Sequence, residues 1–296
     1  MLLRQLHSFV AVVECGSFTE AAERCYLSQS AISQQIQALE QELGVSLLIR
    51  GNRRFSLTPA GEFVYQQGKR LLAQANALRR EAVRIGRGDT ARLTLGYPLG
   101  YSGQELYQAV AEFSRQYPEV SIDIVNGTHE ELYDFLRSGR ADLILSDQRR
   151  AFSDAYVNFE LLSCGCYAEL SAQNPLSLQA ALHLEDLASI PCILLASRTQ
   201  QNTEQAYFQD TLGFSGRFLF AETLGEARLM VAGNRGFLPL ESIGTLPAPE
   251  TSVRRLPICV GDRQLKRNYC LFWSREHSSA YPEAFAAILR GLLPTP

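Results

Sequence analysis

The chain is short of what most enzyme and membrane classes require. Its seven cysteines, at 15, 25, 164, 166, 192, 259 and 270, are odd in number, scattered and without a C-x-x-C pair. Neither a disulfide framework nor a zinc site is expected, and a reduced, cytoplasmic setting fits. The four histidines, His7, His129, His183 and His277, stand alone. With no nucleophile elbow, Walker loop or metal-binding helix beside them, no enzyme, metal or cofactor chemistry is expected. No apolar run is long enough to span a bilayer, and the first is interrupted by Glu14, so no signal peptide or membrane partner is expected. Low-complexity segments and repeats are absent, apart from one heptad pattern.

What is there begins at Ser17. Ser17 and Glu20 form an S-x-x-E capping box that starts a helix in which Ala21 and Ala22 permit close crossing. Ser28 caps a second helix that Gly44 stops. Ile32, Ile36, Leu39 and Leu43 fall on one stripe of it. Ser30, Ser33, Gln34, Gln37 and Gln41 point the other way, with hydroxyls and amides able to read base edges in a major groove. An ordinary αα-hairpin with a solvated polar face is the alternative. The segment from Val45 to Leu57, VSLLIRGNRRFSL, reads as a short two-stranded wing carrying Arg50, Arg53 and Arg54, suited to phosphate or minor-groove contacts.

Thr58 and Pro59 open a further helix, as cap and first helical residue, which runs to about Ile85 before Gly86 and Gly88. Val64, Leu71, Leu78 and Ile85 recur every seven residues, with Gly68, Ala75 and Ala82 between them, so the seam favours a close helix pair. Such a helix is roughly 40 Å long, too long to bury itself against one small domain, and dimerisation explains it; packing on its own wing is the alternative.

Charge supports a division after this helix. Residues 1–90 carry a net +3 and the remainder −6, against −3 overall, as expected when only the head meets DNA. With 296 residues and 46% hydrophobic composition the chain can bury more than one core. The body alternates strand and helix. Strands are expected at 92–96, 120–125, 141–145, 192–196, 216–220, 237–240 and 269–273, with helices at 103–117, to about 138, at 204–212, 224–232 and 282–292. An open α/β sheet follows, with ligands at the C-terminal ends of its strands. Strand ends offer Tyr97, Leu99, Gly100, Tyr101 and Ser102 after the first strand, then Thr128, then Ser146 and Asp147. In the later part they offer Ser197, Thr199, Asn202 and Thr223; any one could instead be a cap or turn residue.

The stretch FVAVVECGSFTEAAERCYLSQSAISQQIQALEQELGVSLLIRGNRRFSLTPAG, roughly the first 60 residues, resembles the LysR-type transcriptional regulators. The match is carried by Ser28-Gln29-Ser30-Ala31-Ile32-Ser33, Leu39-Glu40, Leu43-Gly44 and Leu57-Thr58-Pro59-Ala60-Gly61. Cys25 stands where leucine is usual in the family, Ser30 where proline is common, and Gln34 where many members carry arginine. The resemblance implies an N-terminal all-α winged helix-turn-helix with a long linker helix, followed by an α/β two-lobed periplasmic-binding-protein-like domain. By the same resemblance residues 1–58 bind DNA, 59–88 dimerise, and 89–296 take up an effector. Lobe I would hold about 91–161 and 267–296, and lobe II about 162–266, with crossings near Leu161 and Lys266. Gln29, Ser30, Ser33, Gln34 and Gln35 would approach bases or phosphates, Arg53 would serve the wing, and the effector candidates above would line the inter-lobe cleft. The run Met230–Pro239 is similar to the family's glycine-containing turn before a Leu-Pro strand. Tyr97 and Tyr101 would either meet an aromatic effector or fill the cleft.

The expected partners are double-stranded DNA, an unidentified small-molecule effector, a second copy in a homodimer or homotetramer, and RNA polymerase. Two alternatives stand: a redox-sensing regulator using Cys164 and Cys166, whose Cα atoms would lie about 6.6 Å apart in a strand, and a small-molecule-binding protein or enzyme whose N-terminal helices serve assembly only.

Overall fold

In a computed structural model the described residues are 3–50, 55–87, 91–275 and 280–294. The chain forms two compact units, Met1–Asp89 with Arg137–Arg140, and Thr90–Leu136 with Ala141–Pro296.

The first unit contains α1 (Leu3–Cys15), α2 (Phe18–Arg24), α3 (Gln29–Leu43), strands β1 (Leu48–Arg50) and β2 (Phe55–Leu57), and α4 (Pro59–Arg87). Leu6, Phe9 and Val12 of α1 meet Ile32, Ile36 and Leu39 of α3 in a fully buried core. Local chemistry sets the element ends. Ser17 and Ser28 accept hydrogen bonds from Glu20 N and Ala31 N, and Gly44 ends α3 at φ +69°. Thr58 Oγ1 accepts from Gly61 N at 2.9 Å and donates to Ser46 O at 2.8 Å, tying the start of α4 to the wing. Gly61 is required there, because a Cβ would stand 2.0 Å from Leu47 O.

The second unit runs β3 (Ala91–Pro98), α5 (Glu105–Gln116), β4 (Val120–Gly127), α6 (His129–Arg137), β5 (Leu143–Asp147) and β6 (Tyr156–Ser171). It continues through β7 (Leu182–His183), α7 (Leu184–Leu187), β8 (Cys192–Leu195), α8 (Gln201–Ala206), a π turn at Tyr207–Thr211, β9 (Phe218–Ala221) and α9 (Leu224–Ala232). The last elements are β10 (Leu238–Glu241), β11 (Val253–Val260), β12 (Arg263–Gln264), β13 (Lys266–Ser274) and α10 (Ala280–Leu292).

Parallel β4, β3 and β5 continue into antiparallel β13 and β6, so the sheet is mixed. The sixteen-residue β6 belongs to both lobes. Tyr156 to Gly165 pair with β13, whereas Cys166 to Glu169 pair with β10 and Tyr167 to Ser171 with β11. The change of partner falls at Gly165–Cys166, about four residues beyond the expected crossing near Leu161, while the return strand begins at Lys266. Separate cores fill the lobes, one around Phe113, Leu271 and Phe285, the other around Leu170, Leu194 and Phe237.

Most expected strands and helices are present within a few residues, but β6, β11 and the short β7, α7 and β12 are additional to them. β6 contains Asn158, Glu160 and Gly165, and its two halves face different cores, so no single alternation runs along it. β11 carries Pro257, a residue that argues against a strand. The expected helix at 204–212 starts earlier and widens into the π turn.

Candidate functional site

The helix pair leaves one face of α3 free. Ser28, Gln29, Ser30, Gln34 and Gln37 are exposed and Ser33 is half-buried. Within that row Ser30 Oγ lies 2.9 Å from Ser28 Oγ. Gln35 differs from the expectation: it is half-buried, and its Oε1 accepts from Ser8 of α1 at 2.6 Å, so it fastens α3 to α1. Glu40 is turned to structure as well, its Oε1 accepting from Leu47 N at 2.7 Å and Leu48 N at 3.1 Å, which locks the helix end to the wing. The strands flanking the wing pair antiparallel, Leu48 opposite Leu57 and Arg50 opposite Phe55. Arg53 and Arg54, with the wing tip, lie outside the described residues, as does the side chain of Arg50.

Tyr26 is 96% exposed and holds φ +55° in the turn just before α3. A bulky residue in the left-handed region is uncommon.

Along α4, Val64, Tyr65 and Leu72 pack on the unit's own core, and a Cβ on Gly68 would stand 2.7 Å from Leu6 Cδ1. The start of the heptad is therefore used internally. Phe63, Leu71 and Leu78 remain exposed, at 65%, 42% and 73%.

A cleft of about 70 Å³ lies between the lobes of the second unit. Leu99, Gly100, Thr128 and Asp147 line it, from strand ends as the topology anticipates. The other expected residues are placed elsewhere. Tyr101 is buried in the lobe I core, where its hydroxyl accepts from Leu106 N at 3.0 Å and Tyr97 packs edge-on at 6.3 Å. Ser102 Oγ is buried without a partner, and Ser146 is buried beside His129 at 3.1 Å. Ser197 crosses between the lobes, donating to Glu131 Oε1 of α6 at 2.8 Å, and Thr199 approaches Ser197 at 3.2 Å. Asn202 is exposed on α8, and Thr223 caps α9 by accepting from Glu226 N at 3.1 Å.

The charged groups of the cleft form one chain across both lobes. Asp147 at the end of β5 meets Arg149 Nε at 2.9 Å, His129 Nδ1 at 3.2 Å and the guanidinium of Arg267 from β13. Arg149 continues to Glu204 of α8 with two bonds, at 2.9 and 3.0 Å, and Arg267 continues to Glu241 of β10. Burial alone would raise the Asp147 carboxyl, but Arg267, Arg149 and His129 together hold it well below the usual range. Burial likewise disfavours the charged guanidiniums, yet Asp147 with Glu204 keeps Arg149, and Asp147 with Glu241 keeps Arg267, firmly protonated. The Arg149 guanidinium lies 3.9 Å over the ring of Tyr207. Of these residues only Asp147 was anticipated. Arg267 stands just before the expected strand at 269–273 and so gave no signal, and neither did Glu204, whose partner is 55 residues away.

Cys164 and Cys166 are both buried and pack into different cores. Burial pushes the Cys164 thiol up to about 12, and raises Cys166 in the same direction. Thiols in that condition are poor nucleophiles, so the redox alternative has little support. Among the described residues no group of His, Cys, Asp or Glu could hold a metal ion, and no helix is long and apolar enough to cross a membrane.

A capped helix pair with a wing, joined to a two-lobed domain with a charged cleft, defines a ligand-responsive DNA-binding regulator. Residues 3–62 match the family model for the bacterial regulatory helix-turn-helix proteins of the LysR family, and residues 86–294 the LysR substrate-binding domain. The chain belongs to the LysR family of transcriptional regulators. It is similar to the regulator BudR of Raoultella terrigena, 32% identical over 70% of this chain and 72% of that one. The regulator AlsR of Bacillus subtilis is 31% identical, with 66% of this chain and 65% of that one covered. The solved structure of CbnR shares the fold at a TM-score of 0.61 and 21% identity over 100% of both chains. HinK of Pseudomonas aeruginosa matches at 0.53 and 28% identity over 98% of each. Full-length CbnR complexed with its target DNA matches at 0.58 and 22% identity, over 98% of this chain and 99% of that one.

Proposed function

We propose that residues 1–58 read an interrupted palindrome through α3, that 59–88 pair two copies, and that the cleft of 89–296 receives the effector that sets the output. The exposed Gln29, Ser30, Gln34 and Gln37 on a capped, core-anchored helix carry this reading, with Arg50, Arg53 and Arg54 of the wing on phosphates or the minor groove. The fold is shared with a protein solved on its target DNA. Exposed Phe63, Leu71 and Leu78 on α4 support a homodimer, which can pair again into a homotetramer, and promoter output implies contact with RNA polymerase. A cytoplasmic setting follows from that partnership.

A duplex-binding titration against salt tests the DNA assignment. The slope of log affinity on log salt is expected to be steep, about −0.9 for each phosphate neutralised. Gln34→Ala should relax base preference, while Arg53→Ala should weaken all sequences alike and reduce the slope by about 1. Unchanged operator affinity in both variants would remove the assigned reading surface.

A further inference from the structure

The cleft already holds a carboxylate. Arg149 gives both terminal nitrogens to Glu204, at 2.9 and 3.0 Å, the paired geometry by which an arginine recognises a carboxylate ligand. The guanidinium does not depend on Glu204 alone for its position, since Asp147, two residues away in lobe I, holds Nε at 2.9 Å. Glu204 is 4% exposed and crosses from lobe II to a residue of lobe I.

We propose that Glu204 is a built-in competitor occupying the carboxylate seat of the effector site, and that the effector is a compact carboxylate which takes Arg149 from Glu204 and unfastens α8 from lobe I. This rests on the reading of the cleft as the effector site. Three observations choose an anion over a cation. Among the described side chains that line the cleft, the buried atom without a partner is a donor, Nε of Arg267, in a residue 7% exposed. The N-terminal end of the nine-residue α6, at Thr128 and His129, also lines the cleft and favours negative charge, which Glu131 Oε2 partly supplies by taking Thr128 N at 2.9 Å. Third, the seat itself is filled by a carboxylate in the structure.

Charge then makes the event an exchange. Asp147, Glu204 and Glu241 already outnumber Arg149 and Arg267, so a further anion beside a resident Glu204 would add uncompensated charge where burial makes it costly. The cleft opens to solvent on one side, so a carboxylate can approach Arg149 but gains its paired nitrogens only as Glu204 gives them up. Glu204 is well placed to leave. Its six-residue helix runs directly into the π turn Tyr207–Thr211, a departure from regular winding of the kind that recurs at functional sites.

The test uses the full-length chain with acetate and methylammonium as probes, and sodium chloride at equal ionic strength as the reference. Calorimetric titration should show acetate binding Glu204→Gln at least about tenfold more tightly than wild type, as expected when one charge-assisted competitor is removed. Arg149→Gln should bind no acetate, and methylammonium should be indifferent to both changes. In wild type, excess acetate should speed amide hydrogen exchange across residues 201–211, a readout that does not depend on any variant folding. Equal acetate affinity in wild type and Glu204→Gln, slowed exchange over 201–211, or preferential binding of methylammonium would overturn the exchange. A larger effector that binds the wild-type cleft with an affinity indifferent to Glu204→Gln would overturn the exchange while leaving the cleft as the effector site.

Discussion

Replacing Asp147 by alanine removes the hub of the inter-lobe charge chain. The carboxylate is 4% exposed and serves Arg149, Arg267 and His129 at once. Breaking a buried ion pair on one side typically costs about 3–5 kcal/mol, because the surviving charge is left without compensation. Here each arginine keeps one other carboxylate, Glu204 or Glu241, so the lower end, about 3 kcal/mol, is expected. For a domain of this size that corresponds to a fall in Tm of roughly 6–12 °C. The assay is direct, since the chain has one tryptophan and Trp273 is buried in β13, so its fluorescence follows the second unit alone. The pH dependence has a definite sign. The folded Asp147 carboxyl is depressed, so its contribution is complete above the unfolded value of about 3.9 and is lost as pH falls from there through the folded value. The stability gap between wild type and Asp147→Asn should therefore be full at pH 6 and shrink progressively below about pH 4. A Tm within about 2 °C of wild type for Asp147→Ala, or a gap that widens in acid, would refute the reasoning.

Other outcomes follow from particular contacts. Gly61→Ala should destabilise the first unit by about 1–3 kcal/mol in chemical unfolding, because the new methyl meets the Leu47 carbonyl and backbone cannot yield cheaply. Leu78→Glu, at an exposed position of α4, should leave the circular dichroism of the chain unchanged while shifting sedimentation toward monomer and weakening operator binding. Cys164, its thiol raised to about 12 by burial, should stay unmodified by mild peroxide in intact-mass spectra, and Cys164→Ser should bind operator as wild type does under the same oxidant; rapid sulfenylation would revive the redox alternative.

The first unit was legible because its determinants are local. Ser28, Gly44, Thr58 and Gly61 each act within a few residues of where they stand, or at a turn whose partner is close in sequence, and the apolar stripe of α3 declares its own face. Gln35 escaped because its partner, Ser8, is on another helix, and nothing in the α3 pattern distinguishes it from Gln34. In the second unit the strand ends that carry Thr128 and Asp147 were readable from β-α alternation. The charge chain was not, since it is assembled from Arg149, Glu204, Glu241 and Arg267, which meet only when the two lobes have folded. Tyr101 misled for a related reason: a tyrosine after a strand can turn inward as readily as outward, and the amide of Leu106 decides it.

Strand β6 runs from one lobe into the other, and β13 pairs with its lobe I half from Tyr156–Ser274 to Gly165–Lys266, with a bulge between Tyr269 and Cys270. A connection of that kind resists bending in the plane of the sheet and yields most readily to twist. The lobes are mounted on a torsion bar, not on a swivel. A guest that releases α8 from Arg149 would then change how far that bar is wound, and the bar's stiffness would return the lobes once the guest departs.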